Sequence, residues 1–170
     1  MATSKSYIAA GGLGNVKVNG EAGADHAWTL EGIVDGAGRV SVQIDLGAAP
    51  RASIFDFSIE IPMQATPTQG AAIELYKAGA PDDDATQIDG DVGASDAALG
   101  DVDQIRNLRP IGALVAEEAD TSKMVASGEF MHTQRYLTLV MLNNTGATTN
   151  ATDSNCIMQL SDRAWQGQAT

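Results

Sequence analysis

The chain has 170 residues, of which 22 are acidic and 10 are Lys or Arg, and its formal net charge at pH 7 is −12. This length suits one domain with a sizeable core. A uniformly acidic protein is repelled by phosphate backbones and by anionic lipid, so the composition argues against nucleic acid and membrane surfaces as partners.

Residues 1–27 are rich in glycine and alanine and show weak hydrophobic patterning. Such a segment buries little surface, so we predict a flexible N-terminal arm or a segment laid along another surface. Within it, Val16 and Val18 indicate a short extended piece. The segment lacks the apolar core of a signal peptide and no run of the chain reaches transmembrane length, so synthesis in a cytoplasm is expected.

The clearest strand signal runs from Arg39 to Ile61, with the sequence RVSVQIDLGAAPRASIFDFSIEI. Apolar and polar residues alternate in both halves, which is the period of a strand with one buried face. Residues 47–53, which include Pro50, separate the halves and are too irregular for a two-residue hairpin. The predicted buried faces comprise Val40, Val42, Ile44 and Leu46 in the first strand, and Phe55, Phe57, Ile59 and Ile61 in the second.

Short apolar segments bounded by turn residues predict the remaining strands, at 28–34, 71–78, 111–116, 124–131, 135–142 and 156–160. A short helix is the alternative at 71–78, and the run 135–142, apolar on both faces, is expected to be central. This pattern predicts an all-β fold, an antiparallel β-sandwich or jelly roll of about eight strands, with a barrel as the alternative. The sandwich domain would comprise residues 28–162, followed by a C-terminal tail at 163–170.

An acidic segment at 81–104 interrupts the strands and contains eight aspartates and no basic residue. Loops of this length inside compact domains tend to be functional or disordered. Clustered carboxylates suit a hard cation such as Ca²⁺, which makes Asp89 and Asp91 weak metal candidates, but the spacing does not match an EF-hand. We therefore predict a solvated acidic loop without a metal. Residues 95–99 are predicted to form one helical turn capped by Ser95.

No pattern in the sequence predicts a catalytic or cofactor site, so we do not expect an enzyme. His26 and His132 lack metal-ligand spacing, and the serine-nucleophile motifs G-x-S-x-G and S-x-x-K are absent. The single cysteine, Cys156, lies in an apolar run and is predicted to be a small buried hydrophobe. Asn143 and Asn150 each begin a glycosylation triplet, which carries little weight without a secretory signal. A metal-assisted hydrolase that uses the aspartates remains the enzymatic alternative.

Partner contacts are predicted for large apolar side chains in the two terminal segments. Trp165 lies in a polar tail, and tryptophan is frequent among the residues that dominate protein interfaces. Packing of Trp165 on its own domain is the alternative, and Trp28 is expected at the edge of the core. The predicted partner-binding residues are Tyr7, Ile8, Leu13, Trp28 and Trp165.

Four stretches, in order, carry a family resemblance: DGAGRVSVQIDLGAAPRASIFDFSIEI, PTQGAAIELYKA, IGALVA and RYLTLVMLNNTG. Across residues 28–162 the chain resembles the β-sandwich decoration, or cement, proteins of tailed-phage capsids. The resemblance implies a virion protein on the outer capsid surface that bridges subunits of the major capsid protein, often as a trimer. It implies no catalytic residues. The alternatives are a head-fibre or tail component, or a carbohydrate-binding β-sandwich that uses an aromatic such as Tyr76 or Trp28.

Overall fold

The computed structural model describes residues 15–18, 26–46, 53–83, 87–118, 122–152 and 156–163. These residues form ten short strands, and every pair of neighbouring strands is antiparallel. The strands are β1 (Asn15–Val18), β2 (Gly38–Val40), β3 (Ile44–Asp45), β4 (Ser53–Pro62), β5 (Ala72–Ala80), β6 (Ala97–Ala98), β7 (Arg109–Val115), β8 (Lys123–His132), β9 (Tyr136–Asn144) and β10 (Ile157–Arg163). The predicted all-β sandwich is confirmed. None of the helices in these ranges is long and apolar enough to cross a membrane.

The strand pairing has the nested order of a jelly roll. Sheet one has the order β1-β10-β4-β8, and sheet two has the order β6-β2-β9-β5-β7, with β3 also paired to β9. The first main strand thus pairs with the last, the second with the next to last, and so on inwards to β5 and β7. This is a long hairpin whose successive pairs alternate between two sheets, as in eight-stranded jelly rolls.

Strands β2 and β3 act as one interrupted strand along β9. Val40 pairs with Val140 and Ile44 with Leu137. The chain thus advances four residues from Val40 to Ile44 opposite an advance of three residues along β9, so the β2–β3 side has one extra residue. One extra residue in a strand reverses which face the following side chains point to. Accordingly Ile44 lies in the core between the sheets, whereas Val40 lies in a second cluster on the outer face of sheet two. The prediction that these side chains share one buried face is wrong.

The core between the sheets is aliphatic with a small aromatic group at one side. Phe55 stacks on Phe130 with ring centroids 5.4 Å apart, and Phe57 lies 6.2 Å from the same ring. The ring of Phe57 fits between Gly128 of the neighbouring strand β8 and Gly112 of β7 in the opposite sheet. A Cβ at Gly128 would lie 2.9 Å from the ring, and one at Gly112 would lie 3.0 Å from it. The absence of a side chain at Gly128 therefore makes room for the ring of Phe57. The strand has no bulge at Gly128, because the ten pairs between β4 and β8 are consecutive.

The segment 28–34 contributes buried side chains to the core but is not the predicted strand. Trp28 and Leu30 are fully buried in the core, yet the backbone around them finds partners outside any ladder. The Ile33 amide donates to the side-chain oxygen of Thr149 at 2.8 Å, and the Gly32 amide to the Asn150 carbonyl at 2.9 Å. Because these partners are loop groups, apolar periodicity alone gave the wrong element.

A buried polar network joins this segment to the loop after β9. The Asn143 amide donates to the Ile33 and Ala147 carbonyls, each at 2.8 Å, and its oxygen accepts from the Thr145 hydroxyl at 2.6 Å. Asn143 is fully buried, so its glycosylation triplet offers no accessible acceptor in the folded chain. The Asn143 and Thr145 side chains stabilise this loop instead, because both form hydrogen bonds with backbone groups.

Replacing Gly128 with alanine should destabilise the fold by about 1–3 kcal/mol, since the ring of Phe57 is also confined by Gly112 and overpacking costs this much. Urea unfolding of the variant measures the change. The matched control is Gly100→Ala, where a Cβ meets only the Gln104 side chain at 3.7 Å, and we expect a change within about 0.5 kcal/mol. Equal stability of the two variants would contradict the packing argument.

Candidate functional site

The acidic segment covers the outer face of sheet two. Ile88 and Val92, between the aspartates, and Leu108, just after the segment, are buried and pack against side chains of the sheet. The sheet contributes Val40, Ala78, Ala80, Tyr136 and Val140 to this second cluster. Most of the described aspartates are exposed, as predicted, but the segment from 87 onward is not a loose loop. Its apolar residues face inward and its carboxylates face solvent.

Regular structure in the segment differs from the predicted helical turn at 95–99. Residues 97–98 form β6, which pairs with β2, and 3₁₀ helices lie at Asp89–Asp91 and Val102–Asn107. The second of these helices begins with a reciprocal cap. The Asp101 carboxylate accepts from the Asp103 amide at 2.8 Å, and the Gln104 side chain accepts from the Asp101 amide at 3.1 Å.

Asp96 ties the acidic segment to the rest of the domain. Its carboxylate accepts from the Arg39 guanidinium at 2.7 Å, from the Thr29 hydroxyl at 2.5 Å and from the Thr29 amide at 3.1 Å. Burial acts to raise the pKa of Asp96, but the hydrogen bonds from Arg39 and Thr29 outweigh it, so the pKa is lowered from its usual 3.8. The carboxylate thus has a structural role.

The weak metal candidates Asp89 and Asp91 are also engaged within the fold. The Asp89 carboxylate accepts from the Gly79 amide at 3.2 Å, where β5 extends beyond the start of β7. The Asp91 carbonyl accepts from the Gln104 side chain at 2.6 Å. Over the described ranges, no three or more His, Cys, Asp or Glu side chains are grouped so as to hold a metal ion.

The structure separates the other candidate residues. Trp28 is fully buried, and its indole donates to the Arg39 carbonyl at 3.3 Å, so it belongs to the core and offers no surface to a partner. His26 is half-buried, whereas His132 is buried at the far end of β8. Cys156 is buried, as predicted. Tyr7, Ile8, Leu13 and Trp165 lie outside the described residues.

The two ends of the described chain meet at one corner of sheet one. Asn15, the first residue of β1, pairs with Ser161 of β10, and β10 ends at Arg163. Strand β1 lies within the predicted N-terminal arm, so part of that arm is an edge strand of the sandwich. The segments 1–14 and 164–170 therefore continue from neighbouring strands. The sequence could not reveal this proximity, because it depends on the pairing of the first strand with the last.

This corner and the solvent-facing side of the acidic segment are two candidate functional surfaces among the described residues. No protein-family model and no curated protein matches the chain.

Removing the charge of Asp96 tests its role in attaching the acidic segment to the rest of the domain. Asp96→Asn should lower the free energy of unfolding by about 1–3 kcal/mol at neutral pH, because charge-assisted hydrogen bonds to Arg39 and Thr29 weaken. The lowered pKa stabilises the fold above pH 3.8, and this contribution is lost as the pH falls through the folded-state pKa. The difference between wild type and variant should shrink over that acidic range.

Asp103→Asn is the matched control, because Asp103 pairs with Arg106 at 3.0 Å on an exposed surface. We expect a change within about 0.5 kcal/mol for that pair. Urea unfolding at several pH values measures both variants, and an Asp96 effect that does not vary with pH would contradict the ion-pair account.

Proposed function

We propose that the protein is a structural component of a tailed-phage virion that binds the outer capsid surface and bridges subunits of the major capsid protein. The observation that carries the proposal is that the first and last described strands, β1 and β10, pair so that the start of one lies beside the end of the other at one corner of a jelly roll. Its net charge of −12 suits a site outside the shell, away from packaged DNA. The family resemblance over residues 28–162 supports the same role.

In this proposal the terminal segments make the capsid contact together. Leu13 lies two residues before β1, and Trp165 lies two residues after β10. At most about 7 Å of chain therefore separates each side chain from its strand. Two short segments that leave one corner bind as a linked pair, so the second contact forms at a high effective concentration. Binding to the assembled shell alone stabilises the shell by mass action.

We propose a homo-oligomer, with a trimer favoured, because a trimer repeats the corner around a symmetry axis and multiplies weak contacts. A head-fibre or tail component is the second virion role. The carbohydrate-binding alternative has less support: Trp28 is buried, and the Tyr76 hydroxyl is bonded to Glu74 while its ring packs on the outer cluster.

Binding to phage heads tests the proposal. The purified protein is mixed with mature heads from the phage whose particles contain it, stripped of the protein, and pelleted. We expect saturable binding in a fixed ratio to the major capsid protein, with the affinity of Trp165→Ala reduced at least about tenfold. Val102→Ala is the control, since Val102 is an exposed apolar residue, 46% accessible, in the acidic segment.

Three outcomes are decisive. Absence of the protein from purified particles would refute the virion role. A copy number far below that of the major capsid protein would favour a fibre or tail component. Equal binding by the Trp165 and Val102 variants would remove the terminal segments from the contact.

A further inference from the structure

A polar pocket of about 230 Å³ lies between the two sheets at one end of the sandwich. Its lining includes Lys77 and Gly79 of β5, Arg109 of β7, Asp89 of the first 3₁₀ helix, His132 at the end of β8, and Gln134 in the turn that follows β8. The aliphatic core ends here, next to Phe130. The polar lining distinguishes this cavity from the aliphatic core, which makes it a candidate binding site.

Lys77 points inward, toward sheet one. It pairs with Leu139, a core residue, so both side chains lie on the inner face of sheet two. The ammonium donates to the Met131 carbonyl, lies 3.5 Å from His132 Nδ1 and stands 5.7 Å from the centre of the Phe130 ring. Burial lowers the pKa of Lys77, which reflects the cost of holding a charge at this depth.

His132 contacts the lysine and orients it. Its ring is only 3% exposed, and Nε2 lies 2.9 Å from the Tyr136 carbonyl, an acceptor, so Nε2 carries the proton. Nδ1 is then an acceptor that faces the Lys77 ammonium. The histidine therefore helps to hold Lys77 in place.

Arg109 lies directly opposite Lys77 in the register of β5 and β7. Like charges at paired positions destabilise a sheet, and the charge of Arg109 also acts to lower the pKa of Lys77. Neither cation has a carboxylate within ion-pair distance among the residues described. The other basic side chains described there each have one: Arg39 with Asp96, Arg106 with Asp103, Lys123 with Glu60 and Arg135 with Asp45.

The wall of the pocket depends on Gly79. A Cβ at this position would lie 1.6 Å from Gln134 Oε1 and 2.9 Å from His132 Cε1, so a side chain here would displace both groups. The Gly79 amide donates to Asp89, which holds the carboxylate at the pocket. Glycine at position 79 thus lets the amide of Gln134 and the imidazole of His132 stand against the strand.

We propose that this pocket binds a carboxylate group, held between the Lys77 ammonium and the Arg109 guanidinium. A carboxylate between the two cations neutralises their repulsion and matches the two-pronged guanidinium fork. Asp89 reduces the formal charge of the lining from two positive to one positive, which favours a monoanion over a phosphate dianion. The volume is below the range typical of drug-sized ligands and suits a small acid or one acidic side chain.

Titration of the full-length protein with defined carboxylates tests the assignment, with the shift of the Gly79 amide resonance as the readout. The probes are acetate, as a free acid, and the peptide acetyl-Gly-Glu-Gly-amide, as a protein side chain. Chloride and inorganic phosphate at equal ionic strength are the comparisons. We expect saturable binding of at least one carboxylate, tighter than phosphate, and the tighter of the two identifies the source.

Arg109→Gln should weaken that binding at least about tenfold, because one of two charged contacts is lost. Arg106→Gln carries the same charge change on the exposed pair with Asp103 and should leave binding unchanged. Lys77→Met should abolish binding; if it fails to fold, Arg109→Gln alone decides, because the Arg109 side chain is exposed. Equal weakening by both arginine variants, tighter binding of phosphate, or no saturable shift with either carboxylate would overturn the proposal.

Discussion

Strand β9, at the centre of sheet two, is buried on both faces, and the rest of the structure follows from the need to cover both. Strand β9 is buried from Tyr136 to Asn143, between β5 on one side and β2 and β3 on the other. Sheet one covers its inner face. The acidic segment, together with Leu108 just after it, covers the outer face, because Ile88, Val92 and Leu108 supply apolar side chains that pack on the sheet. The aspartates between them keep this cover solvated, so one segment completes the fold and gives the molecule much of its negative surface.

Much of the fold could be predicted from local patterns. Strands β4, β5, β7, β8, β9 and β10 follow clean alternation or apolar runs, and the expected central position of β9 is confirmed. The predictions that were wrong concern residues whose structural partners lie far away in the sequence. The segment 28–34 looks like a strand, but its amides bond to Thr149 and Asn150. Val40 and Ile44 look like one face, but an extra residue opposite β9 separates them. Trp28 looks like an edge residue but is fully buried.

Neither candidate site could be predicted from the sequence, because each depends on strand pairing between residues far apart in the chain. Lys77 and Arg109 are 32 positions apart, and only the register of β5 and β7 places them opposite each other. Asn15 and Ser161 are nearly a chain length apart, and only the jelly-roll connection of first and last strands joins them. The proposed capsid contact and the proposed carboxylate pocket are thus both consequences of nested pairing. They lie at the same end of the strands of sheet one but at its opposite edges, β1 and β8, and involve different side chains.

Hydrogen–deuterium exchange of the backbone amides in 87–108, and of the Gln43 amide that bonds to this range, tests most directly whether the acidic segment packs on sheet two. The Leu99 amide bonds to the Gly38 carbonyl at 2.9 Å and the Gln43 amide to the Ala94 carbonyl at 2.9 Å, so both join the segment to β2 and its continuation. We expect protection of these amides comparable to that of amides at the edge of sheet two. Exchange at the rate of an unstructured peptide, with the strands of sheet two still protected, would contradict the account.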